Sequence, residues 1–250
     1  MGILGLGGTF GLALTPTVVA WLGETYRWQI PYILFGVLGL LAAVIHWTER
    51  KEYDQHVERE KLEKKRRITS YFILLISVYV IKGFIYRGAL TFLPTYISSF
   101  SSVYFGGLIV TFMLVSGGFG QILGGEMVDR FNRVVFLVVL LALDTIFLLL
   151  LFSSSTTLIY ALPVALGFTY FAGQTVINVL ISDFTPESSR GTGYGIAFSI
   201  AFTLGSFSST VAGYIADILG FEYIFLFLGV ISVFSVIITM YLWRLWHEAA

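Results

Sequence analysis

Long apolar runs, not alternation of apolar and polar positions, dominate this chain. They lie near 3–22, 28–47, 69–97, 104–126, 134–152, 157–182, 192–216 and 221–243, each broken from the next by a short polar or glycine-bearing turn or a charged loop. A helix crosses the roughly 30 Å hydrocarbon core of a bilayer with about 20 apolar residues. None of the runs alternates with period two, which argues against barrel strands. The pattern predicts an all-α, polytopic membrane protein with eight transmembrane helices.

Composition agrees. Of 250 residues, 57% are hydrophobic and only 12% charged, too few polar groups to cover a water-soluble domain of this length. There are no cysteines, which removes disulfides and thiolate metal sites. The first run follows Met1 directly as Gly-Ile-Leu-Gly, without a positive leader region, and reads as a span and not as a signal peptide.

Charge distribution then gives an orientation. Of 15 Lys and Arg, eight fall in "TERKEYDQHVEREKLEKKRRI" (48–68). Arg130 and Arg133 follow the fourth span, Arg190 precedes the seventh, and Arg244 follows the eighth. Eight alternating spans place all of these on one side and leave Arg27 alone on the other. The positive-inside tendency makes the rich side cytoplasmic, with both termini inside. The expected location is the cell (plasma) membrane. The 48–68 loop mixes acids with its bases and reads as a solvated linker between two bundles, with a lipid-headgroup or regulatory segment as the other reading.

The chain also resembles itself. "FGLALTPTVVAWLGETYRWQIPYILFGVLGLLAAV" (10–44) and "LGSFSSTVAGYIADILGFEYIFLFLGVISVFSVI" (204–237) share small residues, Thr-Val, an acid and glycine at a turn, and a Gly-Val core. Gly11 matches Gly205, and Gly36 matches Gly229. Spans one and two thus look like a copy of spans seven and eight. The expected organisation is 1–47 as two helices of an incomplete N-terminal bundle, 48–68 as a charged cytoplasmic linker, and 69–250 as a six-helix bundle.

"GGEMVDRFNR" (124–133) resembles the Gly-x-x-x-Asp-Arg-x-Gly-Arg signature of the major facilitator superfamily. Gly125, Asp129, Arg130 and Arg133 match it. Asn132 stands in place of the usual Gly, and Asn tolerates left-handed turns. "DFTPESSRGTGYG" (183–195), with Arg190, resembles the loop before that family's eleventh helix, and "GGTFGLALTP" (7–16) its small-residue fifth helix. The resemblance covers essentially the whole chain and equates its spans with family helices five to twelve, so helices one to four have no counterpart. It implies a secondary transporter of a small organic solute, anionic or drug-like, ion-coupled and working by alternating access. The alternative is a truncated or split product that acts only with a separate N-terminal transporter segment or as a membrane partner. The resemblance also implies a conformational latch at Gly125, Asp129, Arg130, Arg133 and Arg190.

Two cations interrupt the third span. Lys82 lies near its middle and Arg87 about 7 Å further along, roughly 140° around the helix. A charge at such depth costs about 2.5–3.5 kcal/mol on insertion scales, so each needs a partner or a wet cavity. By resemblance this span and the sixth line the central cavity. Both readings stay open: Lys82 and Arg87 face the solute pathway, or Lys82 pairs with Asp144 of the fifth span inside the bundle. Snorkelling is a further option for Arg87. On the sixth span Tyr170, Gln174 and Asn178 recur every four residues as one polar stripe, and Tyr79 and Tyr86 of the third span can extend the same wall.

Small residues three or four apart (Gly117, Gly120, Gly124; Gly205, Ser209, Gly213; Gly7, Gly11, Thr15) predict close helix contacts. An enzyme is not expected. The histidines, His46, His56 and His247, fall at span ends or in the loop, and no buried catalytic constellation appears. No cofactor, metal site or nucleic-acid partner is called for. The bilayer and a small solute are.

Overall fold

The computed structural model describes residues 2–48, 70–153 and 158–248. Among these it has eight α-helices: α1 (Gly2–Thr25), α2 (Gln29–Thr48), α3 (Ser70–Ser98), α4 (Val103–Arg130), α5 (Arg133–Ser153), α6 (Leu158–Phe184), α7 (Arg190–Leu219) and α8 (Phe221–Glu248). The order and number match the expected spans. The 48–68 linker lies outside the described residues apart from Thr48, and so do the surroundings of Gly7 and Gly11. Six helices, α3 to α8, are long and apolar enough to cross a membrane over their described residues, and α2 carries a shorter apolar segment, Gln29–Ile45.

Most helices overrun the apolar runs. The fourth run ends near 126, but α4 continues through Asp129 to Arg130. A helix satisfies its own backbone donors and acceptors, so it continues into the interface until a competing cap ends it. At the α4–α5 turn that cap is Asn132, whose Oδ1 accepts from the N–H of Val134 at 3.1 Å and of Val135 at 3.2 Å. The residue that departs from the family signature is therefore used for its side chain, as the N-cap of α5. At the start of α4, Ser102 accepts from the N–H of Phe105 at 3.2 Å, and Glu24 at the end of α1 accepts from the N–H of Tyr104 at 2.8 Å.

Glycine sets the close crossings. A Cβ on Gly120 would collide with the carbonyl oxygen of Phe168, and one on Gly167 with that of Met113, so α4 and α6 approach backbone to backbone. Gly83 and Gly205 do the same for α3 and α7, where a Cβ on Gly205 would sit 3.1 Å from the Gly83 carbonyl. Between lipid-soluble helices this contact area and interhelical hydrogen bonds supply the association that water expulsion cannot. One such bond joins Thr145 of α5 to Ser232 of α8 at 2.8 Å.

Helices α3 to α8 form one bundle, with α3 meeting α4, α6, α7 and α8. Helix α1 leans on α4, where Thr17 and Thr111 share a 2.6 Å hydrogen bond and a Cβ on Gly107 would lie 2.7 Å from the Pro16 oxygen. Helix α2 rests on α1 at the edge. The repeat makes this edge informative. Phe35 of α2 corresponds to Leu228 of α8 by the Gly36–Gly229 register; Leu228 is fully buried, Phe35 is 38% exposed.

Candidate functional site

Helix α3 presents two environments. Lys82 points into the bundle and is 1% exposed. Its Nζ lies 3.1 Å from Asp144 Oδ2 on α5, and Asp144 is equally buried. The other carboxylate oxygen accepts from Thr169 Oγ1 on α6 at 2.5 Å. The ammonium also sits over the Tyr170 ring, 4.1 Å from its centroid, and 3.0 Å from where a Cβ on Gly173 would be. A buried ion pair is tolerated only when its remaining valences are met, and here a hydroxyl and an aromatic face meet them. The intrabundle pairing is the arrangement adopted by Lys82.

Tyr170 ties this core to the rest of α3. Its hydroxyl donates to the Lys82 carbonyl at 3.2 Å, and its ring stacks on Tyr86 with centroids 5.0 Å apart. Tyr86 is half-buried and adjoins Arg87 in sequence. Arg87 is exposed, the eighteenth residue of a 29-residue helix. Its guanidinium lies 5.3 Å from the Phe202 ring centroid on α7. Among the described residues no carboxylate comes within ion-pair distance of it. One turn on, Thr91 Oγ1 donates to the Arg87 carbonyl at 2.7 Å and shares a 3.0 Å bond with Ser209 Oγ of α7.

The predicted α6 stripe divides. Tyr170 is buried, whereas Gln174 and Asn178 are half-buried and joined at 3.4 Å from Gln174 Nε2 to Asn178 Oδ1. The Asn178 carbonyl accepts from the Tyr194 hydroxyl of α7 at 2.6 Å.

The sequence reading passed over a second stripe. On α7, Ser199, Thr203, Ser206 and Thr210 are all exposed and share one face by spacing. Arg87, Thr91 and Thr95 make an exposed polar face on α3. The outward residues of α8 are instead Val230, Val233, Phe234, Ile237 and Met240. A lipid-facing surface is apolar, so the α3 and α7 faces suit water or solute. The i, i+4, i+7, i+11 spacing of the α7 hydroxyls was the available signal, hidden by the aromatic residues between them.

At the end of the bundle carrying the signature, Arg133 Nη1 contacts Asp183 Oδ2 at 2.6 Å and Nη2 contacts Asp129 Oδ1 at 3.5 Å. Asp183, outside the predicted latch, is its best-placed acceptor. Arg190 pairs locally with Glu187 at 3.4 Å, and Arg130 is exposed. Gly125 has open space: a Cβ there would touch only Thr175, at 3.9 Å. Phe131, Asn132, Arg133, Val134, Leu180, Asp183 and Trp246 line a cavity of about 290 Å³ beside the arginine. Among the described residues no group of His, Asp and Glu is placed to hold a metal.

A multi-pass helical bundle of long apolar helices, with an ion pair at its core and a polar face on two of its spans, is a membrane protein. The Major Facilitator Superfamily model matches residues 1–207 and 98–249, and the chain belongs to that family, whose members are transporters and not enzymes. It is 24% identical over 251 residues to an uncharacterized MFS-type transporter of Methanocaldococcus jannaschii, an alignment covering 93% of this chain. The chain spans 63% of the length of that relative.

Proposed function

We propose that this chain is a secondary transporter that moves a small organic solute by alternating access, coupled to an ion. The observation that carries this reading is Arg87, without a carboxylate partner among the described residues, on a polar α3 face beside the hydroxyl stripe of α7, in a chain of the transporter family. Tyr86, Arg87, Gln174 and Asn178 would meet the solute, with Tyr170 and Lys82 as the layer behind them. Gly125, Asp129, Arg130, Arg133 and Arg190 would form the latch, with Asp183 as its acceptor on α6. The division into 1–47, a 48–68 linker and 69–250 belongs to this reading, as does a plasma-membrane orientation with both termini cytoplasmic, which the loop charges favour.

A second reading has support of its own: transport needs a separate N-terminal segment. Phe202 is 55% exposed and Tyr214 68% exposed on α7, whereas its repeat partner α1 is covered by α4. A helix standing to α7 as α4 stands to α1 would close that face. Solute uptake into proteoliposomes tests both readings, with the chain alone and with the chain co-reconstituted with the four preceding family helices. Uptake by the chain alone favours the first reading, and uptake only with the added helices the second. Uptake in neither preparation, from monodisperse protein, would remove the transport assignment.

A further inference from the structure

We infer that Arg87 anchors the carboxylate of a small monocarboxylic acid whose apolar body lies against Phe202; this rests on the transport reading and names its substrate class.

Lys82 is neutralised by Asp144 at 3.1 Å, which leaves Arg87 as the cation without a carboxylate among the described residues of this face. A cation held in mid-span is stable only with a counter-charge or water. One positive charge matches one carboxylate. A phosphate monoester or a dicarboxylate would bring a second negative charge, and among the described residues this face holds no second cation to meet it.

The hydroxyl pattern points the same way. Thr91 has a single proton and gives it to the Arg87 carbonyl. In the 3.0 Å contact between Thr91 and Ser209, Ser209 must then be the donor. Both protons are used, and the two oxygens offer lone pairs at the exposed polar face of α3 and α7. They repel a second anionic group and accept from a hydroxyl or amide on the solute.

Geometry fixes the acid end. A guanidinium takes a carboxylate through two parallel N–H donors, which an ammonium does not. The Phe202 ring of α7 lies 5.3 Å from the guanidinium and supplies an apolar wall next to the charge. The site thus spans α3 and α7, which cross at Gly83 and Gly205.

The test is equilibrium binding of radiolabelled benzoate, phenylacetate and hexanoate to the purified chain in nanodiscs, with benzamide as the neutral isostere. At least one acid should bind with a dissociation constant of about 1 mM or tighter. Benzamide should not compete. Arg87→Gln should weaken binding about ten- to hundredfold, the loss of a charged hydrogen bond, and Arg87→Lys should fall between. Arg87→Gln removes a charge from the membrane, so it should stay monodisperse, and its thermal unfolding would confirm that. No binding by any acid, competition by benzamide, or unchanged affinity in a folded Arg87→Gln would overturn the assignment. Binding uses no gradient, so it separates from uptake. A bound acid that is not taken up defeats the transport reading and leaves the site. Uptake of an acid indifferent to Arg87→Gln does the reverse. If a carboxylate of another protein segment answers Arg87 instead, adding the four preceding family helices will abolish acid binding, and that result too would overturn the proposal.

Discussion

Lys82 Nζ lies 3.1 Å from Asp144 Oδ2, and neither side chain reaches the open face of the bundle. The two residues come from helices 62 positions apart in sequence, and with Thr169 they bring α3, α5 and α6 to one point.

Breaking that pair by half should be worse than removing it. Lys82→Met or Asp144→Leu alone leaves a buried charge without its counter-charge, at a cost of about 3–5 kcal/mol. The double variant restores neutrality. The expected order of Tm in detergent is wild type close to the double variant, and both well above either single variant. Thermal unfolding followed by tryptophan fluorescence checks it. Two singles no less stable than the double variant would contradict a paired core.

The glycines should differ in what they tolerate. Gly167→Ala drives a methyl into the Met113 carbonyl, which is backbone and cannot yield, so α4 and α6 must separate. Gly173→Ala meets side-chain atoms instead of backbone: Lys82 Nζ at 3.0 Å, then Lys82 Cε at 3.7 Å and Leu137 Cδ1 at 3.8 Å. Overpacking costs about 1–3 kcal/mol, and Gly167→Ala belongs at or above the top of that range, Gly173→Ala at its foot. Size-exclusion yield after mild heating ranks them.

Asn132 offers a direct check on the signature's odd residue. Asn132→Ala removes the acceptor shared by the N–H groups of Val134 and Val135 and should cost about 1 kcal/mol. Asn132→Gly, which restores the family's usual residue, should cost only a few tenths of that. Paired unfolding curves measure the difference, and equal losses would contradict the capping role.

Arg133 bridges Asp129 and Asp183 near the surface, so its contribution to stability should be small. Exposed pairs of this kind contribute roughly 0–1 kcal/mol and weaken with salt. Arg133→Gln is expected to leave Tm nearly unchanged while altering uptake if the latch reading holds. A large Tm loss in this variant would mark a structural role instead.

Ser208 is fully buried, and its hydroxyl has no hydrogen-bond partner among the described residues. Replacing an unmet polar atom by an apolar group of similar shape is neutral or favourable. Ser208→Ala should match or exceed wild-type Tm.

Much of this molecule is written locally. Eight runs of about twenty apolar residues fix eight helices, because in lipid the backbone must satisfy itself. The charge of "ERKEYDQHVEREKLEKKRR" and the repeat between 10–44 and 204–237 depend on order along the chain and need no coordinates. Lys82 and Arg87 were visible as anomalies for the same reason: a cation in an apolar run is costly wherever it faces.

Which way each cation faces was decided only by tertiary packing. Sequence spacing set them about 140° apart on α3 but could not say which side met α5 and α6. The fold turned Lys82 toward Asp144 and Thr169 and left Arg87 beside Phe202. Burial divided the Tyr170, Gln174 and Asn178 stripe in the same way. Helix periodicity is a property of one segment; the direction of a face exists only once a second helix is placed against it.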